Sequence, residues 1–383
     1  MKQQSHYFSE TYEQSRDRFI SELPFVQRIW KKADLLSYSI GNLENNNTTD
    51  VIRADGQFYK ENLIIITTGV HGIEGYAGTA LLNYFMEHYL PQLNPNTTGL
   101  RLVHAVNPWG MKNRRRFSEN NIDLNRNFIK DWNNVPADLN KRFEKEKELF
   151  LPKHPISDLK KQNKQLHKML LRSFLRQGRN GMETAATMGQ YQYPRGIFYG
   201  GQDYDEPVSK LLSHMEDWIR PYKNVIFIDI HTGLGPANKL WIQVPHSESR
   251  KEKTMKKQFA SSNVNDVQKT DVKRIKGEDA EYVQDIFSQR FPRKRIFSTL
   301  FEFGTLGNSL KDQIKALQTV INENHLYWKG AEKRDDIDKI KQDMDDLFYP
   351  EDPEWRSSVL QKGKTAFDLV LEKEAGITLP ENK

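Results

Sequence analysis

"LIIITTGVHGIEGYAG", Leu63 to Gly78, changes character halfway along. It starts as an apolar, mostly β-branched run, Leu63 to Ile66, with no polar alternation. A short run of that kind suits a strand covered on both faces. It then enters a turn of small residues that carries His71 and, three residues on, Glu74, set between glycines. "GTALLNYFMEHYL", Gly78 to Leu90, follows with apolar residues at helical spacing, and "LRLVHAVNP" (100–108) is a second apolar run. Strand, helix and strand in such short order predict a parallel crossover, hence an α/β fold. Two further runs, "NVIFIDIH" (224–231) and "RIFSTLFEFG" (295–304), extend the same sheet.

The rest of the chain is read outward from this core. Residues 8–32 place Phe8, Tyr12, Phe19, Leu23 and Val26 at helical spacing and predict an opening helix. Region 130–192 is highly charged and helical, and it interrupts the α/β pattern. It is expected to be a helical insertion, a possible cap over the site, rather than an independent domain. Segment 330–383 is expected to add a C-terminal extension of surface helices. The whole, 1–383, is read as a single catalytic domain, since no internal repeat divides it.

Composition excludes several function classes. Hydrophobic residues make up 37% and aromatics 11%, which supports a sizeable core and argues against wholesale disorder. Lys and Arg number 57 against 51 Asp and Glu, a net charge of +6. That surplus is small for 383 residues and forms no long basic tail, so nucleic-acid binding is not expected. There is no cysteine, which excludes disulfides, thiolate metal sites and a cysteine nucleophile. No apolar run reaches the roughly 18 residues of a membrane span, and the first twenty residues lack a signal-peptide core. No membrane partner and a cytoplasmic location are the expectations.

Three polar residues stand at or just beyond the ends of predicted strands: His71 after the first, His231 closing the third in "FIDIHTG", and Glu302 in "FEFGT". Ligands of open parallel sheets bind outside the carboxyl ends of the strands, so these residues should converge on one edge. Two histidines and one carboxylate are a recognised catalytic zinc set with a fourth position left for water. A further carboxylate is then needed to move the proton of that water. Glu302 is the best candidate, flanked by Phe301 and Phe303, whose apolar character would raise its pKa. Asp229 leaves the same strand face as His231 and could orient it. "NPWGMKNRRRFSENNIDLNRNF", Asn107 to Phe128, adds Arg114, Arg115, Arg116 and the pair Asn125-Arg126. Arginine forks suit carboxylates, although three consecutive arginines usually mark an exposed loop. His104 is expected to be a satisfied core residue, and His246 the one other histidine close enough to line a site.

"GVHGIEG", "NPWG", "DLNRNF", "DIHTG" and "FEFGT", in this order, resemble the zinc carboxypeptidase superfamily. The strongest resemblance is to an uncharacterised, domain-of-unknown-function (2817) branch. It implies a three-layer α/β sandwich with a mixed, mainly parallel sheet flanked by helices. It implies one zinc per chain held by His71, Glu74 and His231, with Glu302 as general base and acid. Asn125 and Arg126 match the pair that grips a substrate carboxylate. Arg116 is the choice among the three arginines for polarising the scissile carbonyl. The tyrosine that the peptidases carry after the second zinc histidine is missing, since Thr232-Gly233-Leu234 follows His231. Tyr199, in "YPRGIFYGG", offers itself as a replacement. The turn between Asn107 and Asn125 is compact, as in relatives that deacylate N-acyl amino acids. The expected activity is zinc-dependent hydrolysis of a C–N amide bond in a small molecule or short peptide with a free carboxylate. An N-acyl-amino-acid deacylase of the aspartoacylase type is the alternative, and a non-catalytic binding protein the reading from another class.

Overall fold

The structure, a computed structural model, describes residues 5–136, 138–261, 266–269 and 276–377. Its centre is an eight-stranded sheet: β1 (Asp34–Ser39), β2 (Thr48–Ala54), β3 (Asn62–Thr68), β4 (Thr98–His104), β5 (Asn224–Pro236), β6 (Leu240–Val244), β7 (Asp266–Lys269) and β8 (Arg295–Leu306). Their order is β1-β2-β4-β3-β5-β8-β6-β7. β4, β3, β5 and β8 run parallel in the middle. An antiparallel hairpin, β1–β2, extends one side. On the other side β6 joins antiparallel to β8, with β7 parallel to β6. The mixed, mainly parallel sheet read from the sequence is present, with four strands added to the four apolar runs.

Alternation along the central strands separates two cores. Ile64 and Ile66, Ile226 and Ile228, and Phe301 and Phe303 face one layer, formed by helices Tyr12–Ser21, Gly75–Tyr89 and Pro353–Ala375. Leu63 and Ile65, Val225 and Phe227 face the other, with Val208, Leu211, Met215 and Trp218 of helix Glu206–Ile219. Side chains two apart share a face of a strand, so continuous apolar runs supply both layers at once.

Two expectations need correction. The opening segment is two helices, Tyr12–Ser21 and Leu23–Ile29, separated at Glu22, with Pro24 in the first turn of the second. Helix Pro353–Ala375 is no surface helix. It buries Trp355, Val359, Leu360, Phe367, Val370 and Leu371, and at Gly363 a Cβ would lie 2.2 Å from a methyl carbon of Leu81. Its charged residues hid an apolar face that completes the core under β5, β8 and β6. The insertion also shares a core with the body of the protein: Phe143, Phe150, Leu166, Leu170 and Phe174 pack with Ile321, Met344 and Phe348 near the carboxyl edge of the sheet.

Candidate metal centre

β3 ends at Thr68 and the chain turns sharply. At Gly72 a Cβ would lie 2.1 Å from the backbone of Gly110, so only glycine lets the two backbones approach. A single 3-10 turn, Gly72–Glu74, leads directly into helix Gly75–Tyr89. The backbone of the arginine run holds that turn: Gly72 N donates to Arg116 O (3.2 Å) and Ile73 N to Arg115 O (2.9 Å). His71 and Glu74 are thereby brought to the edge where β5 delivers His231. On the next strand Glu302 is in register with His231, so both side chains leave the same face of the sheet.

His71, Glu74 and His231 are buried together and form a group whose geometry suits a metal ion. The two Nδ1 atoms are 3.0 Å apart. His71 Nδ1 lies 2.9 Å from Glu74 Oε1, and His231 Nδ1 lies 2.9 Å from Glu74 Oε2. The opposite nitrogens fix the tautomers. His71 Nε2 is 3.0 Å from Asp123 Oδ1, and His231 Nε2 is hydrogen-bonded to Asp229 Oδ2. A carboxylate can only accept, so each Nε2 carries the proton and each Nδ1 turns its lone pair inward. Two lone pairs and a carboxylate that meet in this way repel one another unless a positive charge, a proton or a metal cation, lies among them. Zinc bonds of about 2.0–2.1 Å place tetrahedral ligand atoms about 3.3 Å apart, close to the spacing found. The residues present therefore fit zinc.

The surrounding charges are arranged in the same sense. Burial alone would raise the Glu74 carboxyl, yet the two imidazoles hold it below the ordinary carboxylate range. Burial would likewise raise Asp123, which Arg116, Arg126 and His71 instead hold well below the usual value. Burial would lower His231, but Asp229 and Glu74 push it well up, so that without a metal a proton on Nδ1 takes the place that a cation would fill. Thr67 Oγ1 donates to Asp229 Oδ1 (2.7 Å) across the β3–β5 pair. Asp279 is buried beside Asp229, and burial followed by the Asp229 charge raises its pKa well above the usual value.

The three arginines go to different places. Arg114 pairs with Asp345 (2.5 Å) and lies over the Tyr76 ring. Arg115 is buried against Glu323 and stacks over Tyr327 with its Cζ 3.6 Å from the ring centroid. Arg116 alone reaches the metal group. Its Nε donates to Asp123 Oδ2 (3.2 Å) and its Nη1 to Glu74 Oε1 (3.1 Å), which leaves Nη2 unpaired among the described residues.

Asn125 and Arg126 follow on a 3-10 turn capped by Asp123. Asn125 Oδ1 accepts from Asp279 N (3.0 Å), so its amide group is the end left to donate outward. Arg126 Nε donates to Thr187 O (2.8 Å) and Nη1 to Asn125 O. Thr187 ends helix Arg179–Thr187 of the insertion. At Gly189, two residues on, a Cβ would lie 2.9 Å from Arg126 Cδ. The insertion thus lies directly on Arg126.

Tyr199 does not join the group. Its ring belongs to the second core, and it reaches the site through its backbone, whose carbonyl accepts from Asp123 N (2.7 Å). The preceding residue, Phe198, held at φ 54°, sets its ring 5.6 Å from the Arg116 Cζ. Phe301 and Phe303 point into the opposite layer, so they do not surround the Glu302 carboxyl. Its lateral register neighbours are His231 and Trp241. His246 is exposed and remote from this edge, because β6 runs antiparallel to β8 and carries it towards the other end of the sheet. His104 is a core residue: Ser15 Oγ lies 3.0 Å from its Nε2 and Phe19 stacks on its ring. Sequence reasoning missed Asp123, Phe198 and Asp279. Only Asp123 carried a signal, an acidic residue two positions before Asn125 in a compact turn.

The chain belongs to the family described as protein of unknown function (DUF2817), which matches residues 8–362. No curated protein matches it. Among solved structures it is similar to carboxypeptidase A from Helicoverpa armigera, at 12% identity and a TM-score of 0.48 over 93% of this chain and 74% of that one. It is also similar to bovine thrombin-activatable fibrinolysis inhibitor in complex with tick carboxypeptidase inhibitor. That match has 12% identity and a TM-score of 0.46, over 89% of this chain and 99% of that one. A metallo-carboxypeptidase from Burkholderia cenocepacia matches at 12% identity and a TM-score of 0.41, over 84% and 69% of the two chains.

Proposed function

We propose that this chain is a zinc-dependent hydrolase that cleaves a C–N amide bond in a substrate bearing a free carboxylate, in the manner of a carboxypeptidase. The observation that carries the reading is the inward-facing set of His71 Nδ1, Glu74 and His231 Nδ1, with each outer ring nitrogen held by a carboxylate. Zinc held there supplies Lewis acidity and lowers the pKa of a bound water. Glu302 lies across the β5–β8 pair from His231 and takes the proton, then returns it to the leaving nitrogen. The unpaired Nη2 of Arg116 faces the charge that develops on the carbonyl oxygen. The amide of Asn125 and the Nη2 of Arg126 receive the substrate carboxylate. Asp123 and Asp229 keep both imidazoles oriented.

A second reading, deacylation of N-acyl amino acids, is favoured by one feature. Thr187 and Gly189 of the insertion lie on Arg126, and such a roof suits a small substrate better than a peptide chain. The test is kcat/KM of the zinc-loaded protein on matched N-acyl amino acids and short peptides. Turnover of the peptides supports the carboxypeptidase reading, and turnover of acyl amino acids alone supports the deacylase. No turnover of either class with full zinc would leave a binding protein.

A further inference from the structure

The insertion carries a second surface that the metal chemistry does not use. Helix Leu159–Gln177 reads LKKQNKQLHKMLLRSFLRQ, with six Lys or Arg and no Asp or Glu. One face, from Leu159 through Leu166 and Leu170 to Phe174, is buried. The other carries a row of cations at steps of four, Lys160, Lys164, Lys168, Arg172 and Arg176, all exposed. Arg176 pairs with Glu146, whereas Lys164, Lys168 and Arg172 are in no ion pair among the described residues. Like charges at this spacing weaken a helix, so the row does not serve the stability of the fold.

Leucines lie within that row. Leu171 and Leu175 are 36% and 77% exposed, and each follows a cation of the row by three residues, Lys168 and Arg172. On a helix, residues three apart are surface neighbours. A nucleic acid would engage the cations and leave the leucines in water. An anionic bilayer surface engages both, because headgroups pair with the cations while leucines enter the acyl boundary and the long basic side chains reach back to the headgroups. No helix among the described residues is long and apolar enough to cross a membrane, and docking of this kind requires none.

We propose that helix Leu159–Gln177 docks the protein on an anionic lipid surface, with Lys164, Lys168 and Arg172 at the headgroups and Leu171 and Leu175 inserted. The experiment is sedimentation of the full chain with phosphatidylcholine vesicles, with and without phosphatidylserine, at low and high salt. Binding is expected only with phosphatidylserine and should weaken with salt. Neutralising Lys164, Lys168 and Arg172 to Gln should lower the partition coefficient about fivefold per charge. Leu171→Ser with Leu175→Ser, charge unchanged, should lower it by at least about tenfold. Circular dichroism melting checks that the variants fold, and Leu175→Gln alone, at the more exposed position, keeps the test if the pair does not. Failure to bind phosphatidylserine vesicles at low salt overturns the proposal. So does binding that survives the leucine changes and is matched by heparin, which would make the helix a general polyanion surface.

Discussion

His71 and His231 turn their Nδ1 atoms towards each other at 3.0 Å, while Asp123 and Asp229 hold the far side of each ring. An arrangement that collects lone pairs at one point needs a positive charge there, and a metal ion can replace the proton that supplies it. The protein is therefore expected to bind about one zinc per chain. His71→Ala or His231→Ala should abolish stoichiometric zinc. Asp123→Asn, which keeps the shape but weakens the orienting charge, should lower zinc affinity about 10–100-fold. Metal analysis and competition with a chromogenic chelator measure both. Full zinc occupancy in either alanine variant would remove this site as the metal centre.

Glu302 is in register with His231 and its side chain leaves the same face. Glu302→Gln keeps the volume and removes the proposed proton acceptor. Zinc content and melting temperature should stay close to wild type, while kcat falls on the order of a hundredfold or more. Near-normal turnover in this variant would assign the proton transfer to another group.

How far the site could be read without coordinates follows from the kind of signal each residue gives. His71, His231 and Glu302 lie at or just beyond the ends of apolar runs, and strand ends of a parallel sheet share an edge, so local pattern brings them together. Arg116 could not be told from Arg114 and Arg115 by spacing. The three differ only in distant partners, Asp123 and Glu74 for one, Asp345 and Glu323 for the others. The β1–β2 hairpin and the β6–β7 pair were missed for a similar reason. They are short, partly polar strands at the flanks of the sheet, and β2 and β6 are placed by β4 and β8, which lie far along the chain. Helix Pro353–Ala375 was misjudged because its charged residues dominate the count, while its apolar face acquires meaning only against helix Gly75–Tyr89.

Two histidines away from the metal give the fold a pH dependence. Burial lowers the pKa of His104 below its ordinary value, and that of His325 to about 4. A histidine whose folded pKa is depressed contributes stability above the unfolded pKa, near 6.5. That contribution is lost as pH falls towards the folded value, because the unfolded chain then binds more protons. Stability should accordingly drop between pH 7 and pH 5, by about 2 kcal/mol at most per histidine. Urea unfolding of wild type and of His104→Gln with His325→Gln at both pH values tests this, since other titrations largely cancel in the comparison. The variant should show the shallower slope, and equal slopes would mean that neither ring is kept neutral by burial.

On the proposed reading, Arg126 selects the substrate. Its Nε and Nη1 are occupied by the carbonyls of Thr187 and Asn125, which fixes the plane of the guanidinium and leaves Nη2 without a partner among the described residues. Two donors from neighbouring residues, one of them cationic, suit the two oxygens of a carboxylate. Lysine keeps the charge but cannot bond both carbonyls and still present a fixed donor. Arg126→Lys should therefore reduce kcat/KM for substrates with a free carboxylate by about 2–3 kcal/mol in transition-state terms. It should scarcely change kcat/KM for analogues whose carboxylate is an amide or ester. The measurement is the acid-to-amide ratio of kcat/KM in wild type and variant, which is insensitive to any general loss of folded enzyme. Gly189→Ala provides a second approach, because the added methyl would press on Arg126 Cδ at a backbone φ of 81° that favours glycine. It should lower the same ratio by moving the fork while leaving its charge in place. Should wild type show no preference for the acid, or should Arg126→Lys lose acid and amide equally, the guanidinium holds the insertion in place and does not select the substrate.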